Sequence, residues 1–175
     1  MANVSLRTDR LMLRRWRTGD IEAFAAICRD PEVMRYIGAG DTRSDQQVET
    51  SVKTFEREWD ERGFGLFAVE LLEDESFIGF TGLSEPAFLP EIMPAVEIGW
   101  RFARQHWGRG YATEAAKAAL KFGFDDLGLA AIVSVIQREN EASRNIAEKL
   151  GMKLDRQTRD PTCNRPVEVY RISAR

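Results

Sequence analysis

Three short stretches of this 175-residue chain gather side chains that can do chemistry. The first runs Trp100-Arg101-Phe102-Ala103-Arg104-Gln105-His106-Trp107-Gly108-Arg109-Gly110-Tyr111-Ala112-Thr113-Glu114-Ala115. Two glycines close a turn, and Ala112, Ala115, Ala116, Ala119, Leu120 and Phe124 then recur at helical spacing. A helix opening on such a turn aims free backbone N–H groups and its positive dipole end into glycine-opened space. That suits a pyrophosphate, with Arg104 and Arg109 adding charge. A tight turn backed by a well-packed helix fits the same glycine spacing. The second stretch is Asn140-Glu-Ala-Ser143, where Asn140 reads as the N-cap of a helix from Glu141 and Ser143 offers a hydroxyl one turn in. A serine there also has purely local uses. The third is Glu97, a carboxylate between Val96 and Ile98 that could act as a general base or simply face solvent.

Other chemistries are excluded early. His106 is the only histidine, and Cys28 and Cys163 lie too far apart in sequence for a Cys-x-x-Cys knuckle, so no metal is expected. A triad hydrolase would have to use His106. A Walker loop needs Gly-Lys-Ser/Thr, which neither Gly108 nor Gly110 begins. The dinucleotide fingerprint needs Gly or Ala where Thr113 stands. With 25 Lys+Arg against 28 Asp+Glu the chain is mildly acidic, which argues against DNA as a partner. The opening MANVSLRTDR has no apolar run after its first charges, and no stretch approaches the ~20 apolar residues of a membrane span. We expect a cytoplasmic protein with two free thiols. A chain this long buries about 70% of its unfolded surface without staples.

The surrounding pattern supplies the scaffold. Strands are expected at 10–16, 64–72, 76–83, 95–102, 130–137, 153–158 and 167–172, with the acidic turn Glu73-Asp74-Glu75 joining the second and third. Helices are expected after a cap at Thr18 or Asp20, from Pro31, over 44–62, over 112–125, and over 141–150 before Gly151. Residues 85–94 hold three prolines and form a loop. The run Arg14, Arg15, Arg17 reads as a solvated basic face. The order predicts one domain over 1–175 with a mixed α/β (α+β) sheet and helices on both faces.

The first two stretches resemble the GCN5-related N-acetyltransferases, and within them the branch that acetylates ribosomal protein N-termini. In the family motif Arg/Gln-x-x-Gly-x-Gly/Ala, Trp107 takes the first place, Gly110 the first glycine and Ala112 the last. Trp-Gly-x-Gly-Tyr-Ala-Thr-Glu-Ala is similar to the ribosomal wording. Asn140-x-x-Ser143 through Glu148-Lys149-Leu150-Gly151 resembles the later strand–helix unit, and Arg10-Leu11-x-Leu13-Arg14 with Gly19-Asp20 the opening one. The resemblance implies a central, mostly antiparallel twisted sheet of six to seven strands. It further implies acetyl transfer from acetyl-CoA directly to an amine, most specifically a protein N-terminal α-amine. A polyamine or aminoglycoside acceptor, or a non-catalytic acyl-CoA sensor, are the alternatives.

By that resemblance Trp100, Arg101 and Phe102 line the pantetheine arm, although strand alternation sends one of the two aromatics to the core. Trp107, Gly108, Arg109, Gly110, Tyr111, Ala112 and Thr113 hold the pyrophosphate, and Asn140 touches the cofactor. Glu97 is the base and Ser143 the donor to the departing thiolate, because Ala147 stands where many relatives place a tyrosine. Asp155 and Asp160 are lesser acceptor-binding candidates, and His106 is a rim residue. Residues 16–43 and 85–94 flank the acceptor groove. A homodimer would be the common form of any oligomer.

Overall fold

The computed structural model describes residues 4–174, so the first three residues of the stretch inspected for a leader lie outside it. Among the described residues there are eight strands: β1 (Leu6–Arg7), β2 (Leu11–Arg14), β3 (Leu66–Leu71), β4 (Phe77–Ser84), β5 (Glu97–Phe102), β6 (Ala131–Gln137), β7 (Lys153–Arg159) and β8 (Pro166–Ser173). Five helices accompany them: α1 (Asp20–Arg29), α2 (Pro31–Met34), α3 (Asp45–Arg62), α4 (Tyr111–Lys121) and α5 (Glu141–Lys149). The strands form one sheet in the order β1-β2-β3-β4-β5-β6-β8-β7. Neighbours are antiparallel except β5 and β6, which run parallel. The eighth strand, β1, is two residues long, too short for alternation to reveal it; it is defined by pairing Leu6 with Leu13 and Arg7 with Met12.

Period-2 patterning splits β3 between two cores. Phe67, Val69 and Leu71 face a layer containing Ala115, Ala116 and Ala119 of α4 and Ala147 of α5. Leu66 and Ala68 face Phe24 and Cys28 of α1 and Val48 and Val52 of α3. The three α4 alanines are fully buried, which lets that helix lie close on the sheet. Past Lys121 the helix widens into a π turn over Phe122–Asp126 rather than continuing regularly.

Local signals explain most boundaries. Ser44 and Gln47 form a reciprocal capping box at the start of α3, and Gly63, at φ +75°, ends it. The start of α1 differs from expectation. Gly19 is its N-cap, and neither Thr18 nor Asp20 caps it with a side chain. Asp20 instead turns inward to Arg14.

That pairing also corrects the reading of the basic run. Arg14 is buried, with Nη1 2.8 Å from Asp20 and Nε 2.6 Å from Glu70. Arg15 binds Glu56 and Asp60. Only Arg17 keeps a largely exposed side chain. A guanidinium at the end of an interior strand is tolerated because two carboxylates from other elements meet it.

Candidate active site

The sheet's one parallel pair opens as soon as it forms. Val133 donates its backbone N–H to the Val96 carbonyl at 2.9 Å, and Glu97 opposite Val133 is the only register pair between β5 and β6. The next rung of a parallel ladder would take the Val135 N–H to the Ile98 carbonyl. Instead that N–H donates to Glu97 Oε1 at 3.0 Å. The Glu97 carboxylate thus stands where the two strands part. Beyond it β5 stays paired with β4 as far as Phe102, while β6 stays paired with β8. By alternation the Trp100 backbone polar groups face the resulting gap.

The near side of the gap is closed by helix N-termini. A short helical turn at Arg104–His106 leads to Gly108 (φ +73°) and Gly110 (φ +81°), both in the left-handed region. Gly110 is the N-cap of α4 and offers no side chain, so the first N–H groups of Tyr111, Ala112 and Thr113 have no capping partner from it. A Cβ at Gly108 would meet nothing within 4 Å, and one at Gly110 only Arg10 Nη2 at 3.5 Å. The glycines are therefore needed for backbone conformation rather than for room. Trp107, 47% exposed, pins the turn by donating its Nε1–H to the Phe102 carbonyl at 2.8 Å.

On the far side, Asn140 caps α5: its Oδ1 accepts from the Ser143 N–H at 3.1 Å. Ser143 Oγ in turn accepts from Trp100 Nε1 at 3.3 Å, so strand β5 and helix α5 touch across the gap. With a lone pair taken by the indole, the serine O–H is free to donate elsewhere. A cleft of about 400 Å³ joins these pieces. Trp100, Arg101, Phe102, Trp107, Gly108, Gly110, Tyr111, Ala112, Thr113, Asn140 and Ser143 all line it.

Placement differs from expectation at several residues. Phe102 is a core side chain, 5% exposed, and Trp100 packs against the same core: residues two apart share a strand face, so alternation does not separate the two aromatics as expected. Arg101 points to the other face of the sheet, over the rings of Phe24 and Phe80. Arg109 is exposed and does not line the cleft; its carbonyl is held by Arg10 Nη1 at 3.0 Å. Arg104 pairs with Asp30 at 3.1 Å. Glu97 lies beyond the cleft lining, at the head of the gap. Burial pushes its carboxyl up from 4.5 to about 7, although the Val135 N–H pulls the other way. His106 lines the cleft, its basicity lowered by burial and by Arg109.

Asp160 is buried and accepts from the Thr162 N–H and hydroxyl, a local turn that leaves it no acceptor-binding part. Asp155 pairs with Arg156 on the edge strand. Of the two flanking regions, Glu32, Val33, Arg35, Tyr36 and Ile37 line the cleft, whereas the loop at 85–94 borders a separate hollow beside β6.

One supporting cluster escapes the sequence. Glu114, on α4, accepts from Thr8 Oγ1 (2.6 Å) and from the backbone and side chain of Arg10 (3.0 and 2.7 Å). Arg10 also stacks 4.4 Å from the centre of the Tyr111 ring. The β1–β2 turn thereby braces the cradle from outside. Its partners sit more than a hundred residues apart in sequence, and the only hint was an acidic residue in a first helical turn.

Comparison with known proteins follows the same outline. The family model described as acetyltransferase (GNAT) domain matches residues 10–153. The uncharacterized protein YkkB of Bacillus subtilis (strain 168) is 34% identical over 173 residues, covering 97% of this chain and 95% of that one. The uncharacterized N-acetyltransferase YoaA of the same organism is 32% identical over 148 residues, 85% and 82% of the two chains. Among solved structures, an acetyltransferase from Agrobacterium tumefaciens str. C58 superposes with a TM-score of 0.84 at 28% identity, covering 99% of this chain and 96% of that one.

Proposed function

This chain belongs to the GNAT acetyltransferase family, and from that premise we propose that it carries an acetyl group from acetyl-CoA directly to a protein N-terminal α-amine. One observation carries the reading: the gap between β5 and β6 has an uncapped helix N-terminus on one side and a hydrogen-bonded serine on the other. The N–H groups of Tyr111, Ala112 and Thr113, reached past Gly108 and Gly110, would hold the pyrophosphate. Trp107 would fix that turn, with Trp100 and Asn140 beside the pantetheine arm. When bound, acetyl-CoA supplies an activated acetyl thioester.

The chain's own residues then have two proton tasks. Glu97, three residues before Trp100, lies about 10 Å along the strand, so it draws the amine proton through water. Its pKa of about 7 is within about one unit of an α-amine at 7.7–8.0 but more than three below a lysine-type amine at about 10.4. That match supports an α-amine acceptor over a polyamine. Ser143, its hydroxyl hydrogen free, donates to the sulfur as it departs. The two free cysteines fit a cytoplasmic setting.

The test follows free thiol while acetyl-CoA is incubated with peptides, polyamines and aminoglycosides. Peptide-dependent thiol release with acetylation at the α-amine is expected. Release with spermidine alone would reassign the acceptor, and no acceptor-dependent release would make the protein an acyl-CoA sensor. Ser143→Ala should lower kcat about tenfold to a hundredfold, the worth of a charge-assisted hydrogen bond, with the KM for acetyl-CoA nearly unchanged. An unchanged kcat would leave thiolate protonation to water.

A further inference from the structure

Arg101, in the cleft lining, extends its guanidinium onto the face of the sheet that carries Phe24 and Phe80. Its guanidinium sits 5.7 Å from the Phe24 ring centre and 5.3 Å from that of Phe80. Among the described residues its only hydrogen-bond acceptor is Cys28 Sγ at 3.3 Å, and Nε is enclosed with no partner. No carboxylate pairs with it among those residues, in a protein where Arg10, Arg14, Arg15 and Arg104 each hold one. Burial lowers its basicity, Cys28 beside it works the other way, and the like charge of Arg43 lowers it again. Two aromatic faces attract a cation but do not replace a counter-ion in a desolvated site.

Position makes this informative. Along β5 the side chains of Val96, Ile98, Trp100 and Phe102 pack with α4 and α5, so Glu97, Gly99 and Arg101 share the opposite face. A Cβ at Gly99 would meet nothing within 4 Å, so the space between Glu97 and Arg101 on that face is open.

On the transferase reading above, we infer that Arg101 is an anion-binding subsite for the acceptor: the amine substrate carries a carboxylate that the guanidinium receives. A planar fork favours bidentate capture of a carboxylate. With Glu97 and Arg101 four residues apart, about 13 Å along the strand, the carboxylate sits several bonds from the amine. An acidic side chain near a peptide N-terminus meets that requirement, as does a free ω-amino carboxylic acid. A polyamine, cationic along its length, would bring like charge to Arg101.

The experiment measures thiol release with N-terminal peptides bearing Glu at positions two and three, the same peptides bearing Gln, 6-aminohexanoate, and spermidine. The wild type should favour the Glu peptide over the Gln peptide at least about tenfold in kcat/KM, the lower end of a charged hydrogen bond's worth. Arg101→Met, which keeps the stem over the two rings, should erase that preference, leaving the Glu and Gln peptides with equal kcat/KM. Arg101→Lys should retain part of it. The 6-aminohexanoate arm tells a free acid from a peptide as the source of the carboxylate; a rate above that of the Gln peptide, lost in Arg101→Met, supports the subsite equally. Equal use of Glu and Gln peptides by the wild type without Arg101-dependent use of 6-aminohexanoate, or an undiminished preference in Arg101→Met, overturns the inference. Thiol release with none of the acceptors overturns the transferase reading itself and the subsite with it.

Discussion

Glu97→Gln is expected to lower kcat/KM about a hundredfold to ten-thousandfold, the usual contribution of a positioned general base, while acetyl-CoA affinity stays put. The sign of its pH dependence follows from the raised pKa. Glu97 becomes a competent base only as pH rises through about 7, so the wild-type rate climbs across that range and then levels. The variant loses that limb, and the gap between the two enzymes widens above pH 7. Stability moves the opposite way. A carboxyl raised from 4.5 to about 7 makes folding most favourable below pH 4.5 and progressively less so up to about pH 7. Fully ionised, it destabilises the fold by at most about 3 kcal/mol. Glutamine carries no charge to desolvate and can still accept from the Val135 N–H. Glu97→Gln should therefore melt above the wild type at pH 8 and close to it at pH 4. A variant both slower and less stable at pH 8 would make Glu97 a brace between the strands. A wild-type-like pH–rate profile would remove it from the mechanism.

This opposition of stability and rate is what a reader of sequence alone cannot see. Glu97 stands between two apolar residues in an ordinary strand pattern, and only the parting of β5 from β6 gives its carboxylate a backbone donor and a desolvated setting. The cradle was more readable. Two glycines followed at once by alanines at helical spacing have few structural meanings, and both glycines do take positive φ. The α3 boundaries were similarly local, because Ser44, Gln47 and Gly63 act on their immediate neighbours.

What the sequence withheld were encounters between distant residues. Arg14, Arg15 and Arg17 look like a basic surface until Glu70 and Glu56 arrive from other elements. Arg104 and Arg109 look like phosphate ligands by proximity to the glycines, yet one is paired with Asp30 and the other faces outward. Arg101 looks like one more member of the cofactor strand, and only the cores on either side of the sheet reveal which way it turns. Charge is where one-dimensional reading fails, since a single partner far along the chain decides whether an arginine is structural or available.

Gly110→Asp should reduce CoA affinity by about five-thousandfold in calorimetry, most of it from charge and the rest from strain. A carboxylate about 4 Å from a phosphate costs about 4 kcal/mol at an effective dielectric near 20. The cradle itself offers a helix N-terminus of only about half a positive charge, so it cannot absorb that repulsion. The effect must be separated from backbone strain, because φ at Gly110 is +81°. Asn is nearly isosteric with Asp and tolerates the left-handed region better than most residues. Crowding is no obstacle for either, since a Cβ there meets only the Arg10 guanidinium at ordinary contact distance. Gly110→Asn should therefore share any loss of melting temperature with Gly110→Asp, yet lose CoA affinity only about fivefold, the part due to strain of about 1 kcal/mol. The ratio between the two variants, about a thousandfold, isolates the charge. It should shrink as salt rises if the phosphates remain partly solvated. Equal affinities for the two variants would mean that the turn positions the helix without touching an anion, and wild-type affinity in Gly110→Asp would move the nucleotide elsewhere in the fold.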